Sequence, residues 1–231
     1  MSKVASNIKT VYELFQEEVK KNNPDVDMLE SLIDRLPKED SNKIILLILS
    51  RKRLDKLPNN IGNLTNLQLL QFNDNNINVL PDSIGNLANL QNFYCYNNQI
   101  SNLPDNIGNL TNLQYFNCSY NQISNLPDNI GNLTNLQNFD CSYNKISNLP
   151  DNIGNLINLQ KLSCSYNKLS NLPDNIGNLT NLQNFSCPNN QISEIPDSIG
   201  NLTNLRYFDC SYNKISEIPD TLKNMNIEII S

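Results

Sequence analysis

The chain has 231 residues, a formal net charge of −6 and no histidine. Its length fits one elongated domain with a small cap better than two globular domains. Residues 1–60 are nearly neutral, with 11 Lys and Arg against 10 Asp and Glu, whereas residues 61–231 carry 6 against 13. Because an acidic surface repels phosphate, this distribution argues against a nucleic-acid partner.

No targeting segment is recognisable at the start of the sequence. Lys3 and Lys9 do not flank the apolar core that a signal peptide needs. The longest apolar run, Ile44 to Leu49, is too short to span a bilayer. We therefore expect a cytoplasmic protein without membrane insertion.

Residues 1–43 predict a pair of amphipathic helices. The first covers residues 6–21, with Ser6 or Asn7 as its N-cap. Its apolar stripe consists of Ile8, Val11, Leu14, Phe15 and Val19. Asn23 and Pro24 predict the start of the second helix. Pro37 lies just beyond its end, and its apolar stripe consists of Val26, Leu29, Leu32, Ile33 and Leu36. We expect this pair to cap the N-terminal end of a repeat domain, and a partner-binding helical pair is the alternative.

The stretch from Ile44 to Leu54 predicts a first, irregular repeat. Its strand is apolar throughout, so both faces are expected to be covered. Leu46 and Ile48 should face the concave side, where the cap could shield them. Residues 51–53 are Arg-Lys-Arg, and a solvated charged edge is favoured there over a small basic site.

From Leu57 onward the chain repeats a 23-residue unit. The unit opens on a Leu-Pro or Ile-Pro pair, whose first residues are Leu57, Leu80, Leu103, Leu126, Leu149, Leu172 and Ile195. A fixed period of this length indicates a solenoid. A single unit cannot bury its own core, so each one needs stacked neighbours. Residues 44–231 are thus predicted to form a solenoid of about eight repeats.

Within one unit the apolar spacing changes from strand to helix. Phe139 and Cys141 alternate with polar residues, which predicts a short strand. Pro150 ends strand pairing, and Asp151 to Leu156 can form a loose helical turn, in which Gly154 allows a close approach to the neighbouring repeat. Because the helical side is wider than the strand side, the stack must bend. We predict a right-handed α/β horseshoe with a concave parallel sheet.

One column of the repeat is always asparagine after the first repeat. Its members are Asn75, Asn98, Asn121, Asn144, Asn167, Asn190 and Asn213. An inward amide has donors and an acceptor with which it can bridge adjacent turns. We interpret this column as a structural ladder and not as a catalytic feature.

The pattern LxxLxLxxNxLxxLPxxIGNLxN over residues 44–227 resembles the leucine-rich repeat family. The LPxxIG variant is similar to the intracellular Ras-group type found in scaffold and suppressor proteins. This resemblance implies a protein-binding frame. It implies no cofactor, no metal and no catalytic residue.

Six cysteines share one inward strand position: Cys95, Cys118, Cys141, Cys164, Cys187 and Cys210. Their side chains should run parallel into the core of a protein in a reducing compartment, so we predict buried free thiols. Zinc is not expected, because the chain has no histidine and no closely spaced cysteines. The Asn-Leu-Thr sequons recur with the repeat and should be unmodified.

The repeats differ mainly in four columns predicted to face outward. These columns hold eight of the nine tyrosines, a residue type typical of adaptable contact surfaces. Tyrosines stacking on one another are the alternative. The predicted partner-binding residues are Tyr94, Tyr96, Tyr115, Asn117, Tyr120, Asp140, Tyr143, Tyr166, Pro188, Asn189, Tyr207, Asp209 and Tyr212.

A ridge of Tyr120, Tyr143 and Tyr166 is expected at the edge of the concave face. Asn189 interrupts it, and Pro188 beside Asn189 should remove a strand donor, so repeat seven would form a notch. We expect a partner to dock across this ridge. Replacing the three tyrosines with Ser should abolish binding with little loss of stability.

The C-terminal stretch from Asn226 to Ile230 predicts a ninth strand, one residue short of the common register. Its isoleucines suggest an uncovered edge, so we expect either weak end-to-end self-association or a chain that is cut from a longer one. The leading functional hypothesis is a non-enzymatic protein–protein interaction module that uses the concave face. The alternatives are a pathogen- or virus-type effector or adaptor that delivers a substrate to another enzyme, and a structural protein that assembles end to end.

Overall fold

The computed structural model describes residues 9–231. Four α-helices flank the repeats: α1 (Val11–Lys20), α2 (Val26–Arg35), α3 (Lys38–Ser41) and α4 (Asp220–Lys223). No helix in residues 9–231 has the length and apolar character needed to cross a membrane. The predicted N-terminal helical cap is present, with α3 as an additional short turn.

Both predicted helix starts in the cap are displaced. Helix α1 begins after Thr10, whose hydroxyl accepts the Glu13 amide at 3.1 Å while the Glu13 carboxylate accepts the Thr10 amide at 2.8 Å. Ser6, Asn7 and Ile8 lie outside the described residues. Helix α2 is capped by Asp25, which accepts two backbone amides, and not by Asn23. A carboxylate is favoured at both starts because the helix dipole is positive there.

Nine short strands form one open parallel sheet in chain order. They are β1 (Leu46–Ile48), β2 (Leu69–Gln71), β3 (Asn92–Tyr94), β4 (Tyr115–Asn117), β5 (Asn138–Asp140), β6 (Lys161–Ser163), β7 (Asn184–Ser186), β8 (Tyr207–Asp209) and β9 (Glu228–Ile230). Leu46 pairs with Leu69, one full repeat later in the chain, and this offset holds as far as β8. Tyr207 pairs with Glu228, which comes before the repeat is complete. The ninth strand is therefore two residues short of the common register, and not one as predicted.

The opposite side of the solenoid consists of 3₁₀ helices, which confirms the predicted loose turns. Their bounds are Ile61–Asn63, Asp82–Asn86, Asp105–Asn109, Asp128–Asn132, Asp151–Asn155, Asp174–Asn178 and Asp197–Asn201. A Cβ on Gly154 would lie only 2.4 Å from the carbonyl oxygen of Asn175 in the next repeat. The glycine therefore permits the spacing between neighbouring turns.

The core is one continuous cluster that includes both the cap and the repeats. The middle residue of each inner strand points into it, and the rings of Phe93, Phe116 and Phe139 follow one another at 5.2 and 5.4 Å between centroids. Phe15 of the cap belongs to the same cluster. The fold is thus the predicted leucine-rich repeat solenoid with a concave sheet.

The asparagine ladder has the predicted structural role. The amide nitrogen of Asn144 donates to the carbonyls of Cys118 and Cys141 at 3.0 and 3.1 Å. Its oxygen accepts the amide of Ile123 at 2.9 Å. Each ladder amide in this way joins one turn to the preceding repeat and satisfies buried backbone groups that would otherwise lack partners.

A second asparagine ladder, which the sequence reasoning missed, lies nearer the surface. Asn135 donates to the carbonyl of Thr111 in the preceding repeat at 2.8 Å. The same bond recurs from Asn66, Asn89, Asn112, Asn158, Asn181 and Asn204. The invariance of this column in the repeat is the signal that could have identified it.

The first repeat departs from the prediction. Leu46 and Ile48 are 61% and 46% exposed, so the cap does not shield them. The cap instead contacts the other side of the repeat, where Lys56 pairs with Asp27 at 2.6 Å and the amide of Asn60 donates to the carbonyl of Glu30 at 2.7 Å. The helices thus cover the end of the core and leave the concave face of β1 open.

The predicted basic stretch at residues 51–53 is partly engaged within the fold. Arg51 pairs with Asp74 of the next repeat at 3.2 Å. Lys52, which stands in the ladder column, donates from its ammonium group to the carbonyl of Lys21 in the cap at 2.5 Å. These contacts agree with the expected charged edge.

Candidate partner-binding surface

The outer face of the sheet is built by strand alternation. In β5 the ring of Phe139 is buried, whereas Asn138 and Asp140 on either side are half-buried. Because neighbouring strands pair one full repeat apart, equivalent outer residues stand next to one another on adjacent strands. Two columns of side chains therefore form the concave surface, one at the first and one at the third residue of each strand.

A groove of about 410 Å³ lies on this surface. Its lining residues from the two columns are Tyr94, Tyr115, Asn117, Asn138, Asp140, Lys161, Ser163, Asn184, Ser186 and Tyr207. Tyr115 and Tyr207 stand four strands apart, which corresponds to about 19 Å. The groove is thus bounded by aromatic rings at both ends and lined between them by amide, hydroxyl and charged groups.

Tyr94 and Tyr207 are neutral donors in the groove. Burial raises the pKa of Tyr94 above its ordinary value. Burial, followed by the negative charge of Asp209, raises the pKa of Tyr207. Both hydroxyls therefore stay protonated at neutral pH and can donate hydrogen bonds to a bound chain.

The acidic and amide groups of the second column are partly committed to the fold. Asp140 accepts the backbone amide of Ser142 at 3.0 Å, and Asn117 and Asp209 accept the equivalent amides two residues later. These contacts fix the turn after each strand. In the part of the chain that the structure describes, no carboxylate lies within ion-pair distance of Lys161. Its ammonium group and the carboxylate of Asp140 on the neighbouring strand are the two charges that line the groove.

The third of the four predicted outward columns comes two residues after the last strand position and contains Asn73, Tyr96, Ser119, Ser142, Ser165, Pro188 and Ser211. Most of it lies inside the fold, so the prediction that it faces outward is wrong. Ser119, Ser142 and Ser165 are buried, as is Pro188. The side chains of this column that stay half-buried are those of Tyr96 and Ser211. In this turn the backbone amides of Ser119 and Ser142 bond to the strand side chains of Asn117 and Asp140 and not to the next strand.

For the same reason Pro188 does not interrupt the sheet. Its position needs no ladder donor, and its carbonyl still accepts the amide of Tyr166 at 2.9 Å. The expected loss of a strand donor at this residue is therefore wrong. The neighbouring Asn189 keeps its backbone bond to Ser211 at 3.0 Å, so the backbone of repeat seven is continuous.

The fourth column has a left-handed backbone in every repeat. Its φ angles lie between 52° and 59° from Asp74 to Tyr212, a region that favours Gly and Asn over Tyr. The rings of Tyr120, Tyr143 and Tyr166 stack with centroids 4.1 and 4.2 Å apart. The alternative that these rings stack on one another therefore describes their geometry, although they also remain exposed.

The stacked tyrosines influence one another. The hydroxyl of Tyr120 raises the pKa of Tyr143, and the hydroxyl of Tyr143 raises that of Tyr166. None of the three lines the groove, since the largely buried third column lies between. We call residues Tyr120, Tyr143 and Tyr166 the tyrosine ridge, and it is a surface separate from the groove.

The six cysteines are free and buried, as predicted. Burial raises the pKa of every thiol, and that of Cys210, nearest the end of the stack, rises to about 11. A protonated, enclosed thiol is a poor nucleophile. The cysteines therefore act as small apolar core residues.

Comparison with known proteins identifies the family. The profile described as "Leucine-rich repeat region" matches residues 43–118 and 105–191. The chain belongs to the leucine-rich repeat family. A second profile, "Leucine Rich repeats (2 copies)", matches residues 180–224 of this leucine-rich repeat chain. The Ras-group subtype stays a prediction, and a comparison with curated protein sequences gives no match.

Solved leucine-rich repeat structures share the architecture. A leucine-rich repeat protein of Leptospira interrogans is 36% identical, with a TM-score of 0.76, over 84% of this chain and 51% of that protein. The plant peptide hormone receptor RGFR1, in complex with RGF2, is 33% identical, with a TM-score of 0.77, over 82% of this chain and 32% of the receptor. Internalin C2 of Listeria monocytogenes is 26% identical, with a TM-score of 0.74, over 85% and 84%. The chain thus spans about half of the first and a third of the second.

The leucine-rich repeat frame brings together five of the predicted binding residues. Tyr94, Tyr115, Asn117, Asp140 and Tyr207 line the groove. Asn138, Lys161, Ser163, Asn184 and Ser186 also line it. The sequence reasoning left these five out, although they occupy the same variable columns. The remaining predicted residues lie outside the groove.

Proposed function

We propose that this chain is a non-enzymatic protein-binding module whose partner lies in the concave groove. The observation that carries the proposal is the groove itself, with its open aromatic ends and unpaired Lys161. Tyrosine supplies rigid contact area, while Asn and Ser supply adaptable hydrogen bonds, a combination typical of protein-recognition surfaces. One similar structure is a peptide hormone receptor in complex with its ligand, which supports a polypeptide partner.

The groove dimensions suggest the form of the bound segment. An extended chain advances about 3.3 Å per residue, so the distance of about 19 Å between Tyr115 and Tyr207 corresponds to about six residues. Lys161 near the middle favours an acidic residue at the centre of that segment. Its ends would place apolar or aromatic side chains against the tyrosines.

The chemistry of the chain supports a binding role over catalysis. The sequence contains no histidine, and the thiols are buried with raised pKa values. Asp140 and Asp209 stand three strands apart, about 14 Å, which is too far for a pair of catalytic carboxylates. Free thiols are compatible with the cytoplasm, where we place the protein.

A matched pair of Asn→Arg variants tests the proposal. Asn138→Arg places a long cation in the groove, whereas Asn132→Arg places the same cation on the exposed convex side of the same repeat. Proteins captured from native cell extract by the immobilised full chain should be lost with Asn138→Arg and retained with Asn132→Arg. Thermal melting of both variants must match the parent. Equal capture by both variants would refute the groove as the binding site.

A further inference from the structure

The column that contains the tyrosine ridge has a gap, called here the vacancy, where one ring is missing between Tyr166 and Tyr212. The rings of Tyr120, Tyr143 and Tyr166 follow one another at about the thickness of a stacked ring. The next repeat carries Asn189 in this column, and the repeat after it carries Tyr212. The column therefore reads ring, ring, ring, amide, ring.

The backbone continues without a change across the vacancy. Tyr166, Asn189 and Tyr212 have φ angles of 53°, 56° and 54°, and strands β6, β7 and β8 keep the common register. At the 4.2 Å step between the Tyr143 and Tyr166 rings, two repeats correspond to about 8.4 Å between equivalent ring positions. This separation accommodates one further flat group at stacking distance from both rings.

The last ring of the column lacks a neighbour. Tyr212 is 79% exposed, and no aromatic ring in residues 9–231 stacks on it. In the same described region the Asn189 amide makes no hydrogen bond through its side chain, unlike Asn97, which donates to Asp74 at 2.6 Å. The vacancy thus has an aromatic wall on each side and an unengaged amide between them.

We propose that an aromatic side chain of a partner protein inserts between Tyr166 and Tyr212 above Asn189. The ring would stack on both tyrosines, and the amide would bond to an indole N–H or a phenol hydroxyl. A guanidinium group is also flat, but Lys168 and Lys214 follow two residues after the two tyrosines and would repel it. The charge near the site therefore selects a neutral ring.

This inference goes beyond the function proposed for the groove and does not depend on it. Ser165 and Pro188, which lie between the groove and this column, are buried, so the two surfaces are separate. A variant that blocks the groove, Asn138→Arg, should leave the ring site intact. Failure of one proposal therefore leaves the other standing.

The test uses N-acetyl-tryptophanamide as the probe and NMR signals of ring-labelled tyrosine in the full chain. The signals of Tyr166 and Tyr212 are assigned with the variants Tyr166→Phe and Tyr212→Phe. We expect the probe to shift these two signals saturably and to leave that of Tyr120 unchanged. No shift at the solubility limit of the probe, or equal shifts of all tyrosines, would overturn the proposal.

Two further Asn→Tyr variants distinguish insertion of the probe between Tyr166 and Tyr212 from nonspecific binding along the ridge. Asn189→Tyr fills the vacancy with the protein's own ring and should abolish the probe-induced shifts. Asn97→Tyr adds the same ring in the same left-handed conformation. The new ring has Tyr120 on one side and Asp74, which has no ring, on the other. This variant should retain the shifts. Unchanged binding in Asn189→Tyr, or stronger binding of N-acetyl-argininamide than of the tryptophan probe, would contradict the inference.

Discussion

The two faces of the same sheet follow different rules. On the inner face Phe139, Cys141 and Asn144 have near-identical counterparts one repeat away, because each must fit the same neighbours. On the outer face Asn138 is followed by Lys161, and Asp140 by Ser163. Outer residues are not packed into the core, so they can vary without disturbing the stack. The residues that recur in every repeat therefore specify the frame, and those that vary form the candidate binding surface.

Of the substitutions that test this difference between the two faces, truncation of a core ring should lower the free energy of unfolding most. Phe139→Ala removes a fully enclosed ring that stacks on Phe116 and should lower the free energy of unfolding by about 3–5 kcal/mol. Asn138→Ala, on the outer face beside it, should change that free energy by less than about 0.5 kcal/mol. Urea denaturation of both variants measures the difference. Similar losses would mean that the outer column also supports the fold.

Loss of an asparagine from the buried ladder should cost more stability than loss of one from the ladder nearer the surface. Asn144→Ala leaves the buried amide of Ile123 without its acceptor, which costs about 1–3 kcal/mol. Asn135→Ala removes one exposed bond to Thr111 and should cost about 0.5–1 kcal/mol. Denaturant midpoints compare the two. A larger loss for Asn135 would make the outer ladder the principal link between repeats.

Asp74 should contribute a smaller, pH-dependent amount. Hydrogen bonds from Asn97, and then those from Asn73 and Arg51, lower the pKa of this carboxyl below its ordinary value. Its contribution is therefore fully present above about pH 4, near the unfolded pKa, and is lost as the pH falls through the lowered folded pKa.

Asp74→Asn should remove that part of the acid destabilisation. Unfolding free energies of the parent and variant at a series of pH values from neutral to strongly acid should converge at the acid end. A constant difference at every pH would assign the effect of the substitution to packing instead of charge.

A small effect is expected for Tyr143→Asn on the ridge. Tyr143→Asn loses two exposed ring contacts, each worth about 0.5–1.5 kcal/mol at most. It gains a residue that tolerates the left-handed backbone. We expect the two terms to leave the unfolding free energy within about 1 kcal/mol of the parent.

Tyr143→Val tests the strain of the left-handed backbone more directly than Tyr143→Asn. It loses the same contacts and places a β-branched residue at positive φ, so it should be less stable than Tyr143→Asn by about 1–3 kcal/mol. Thermal melting ranks the three proteins. Equal stability of both variants would show that the left-handed backbone imposes little strain.

The sequence predicts those features that depend on one repeat and its neighbour. The strand of Phe139 and Cys141, the turn after Pro150 and the ladder of Asn144 were all predictable, because their partners lie one period away. The exact helix starts at Thr10 and Asp25 were not, because several residues near each start can serve as caps. The exposure of Leu46 was not predictable either, since it depends on where the cap docks.

The candidate binding surface was harder to predict than the frame. Period-two alternation places Tyr94, Tyr115 and Asp140 correctly on the outer face. It fails after the strand, where the backbone bends at the left-handed residue and turns Ser142 inward. The left-handed column could not be recognised from composition, because most of its later members are Tyr, which is uncommon in that conformation. Asn189 is the residue type that would have indicated it.

The constant register has a consequence for how such a chain can change in length. Strand pairing advances by one full repeat at every step from β1 to β8, so removing residues 127–149 would join two ends of equal geometry. Every ladder would close again, and the rings of Tyr115 and Tyr207 would move one strand nearer to each other. Loss or duplication of a single repeat can therefore shorten or lengthen the outer surface by one strand, while the interior remains the same.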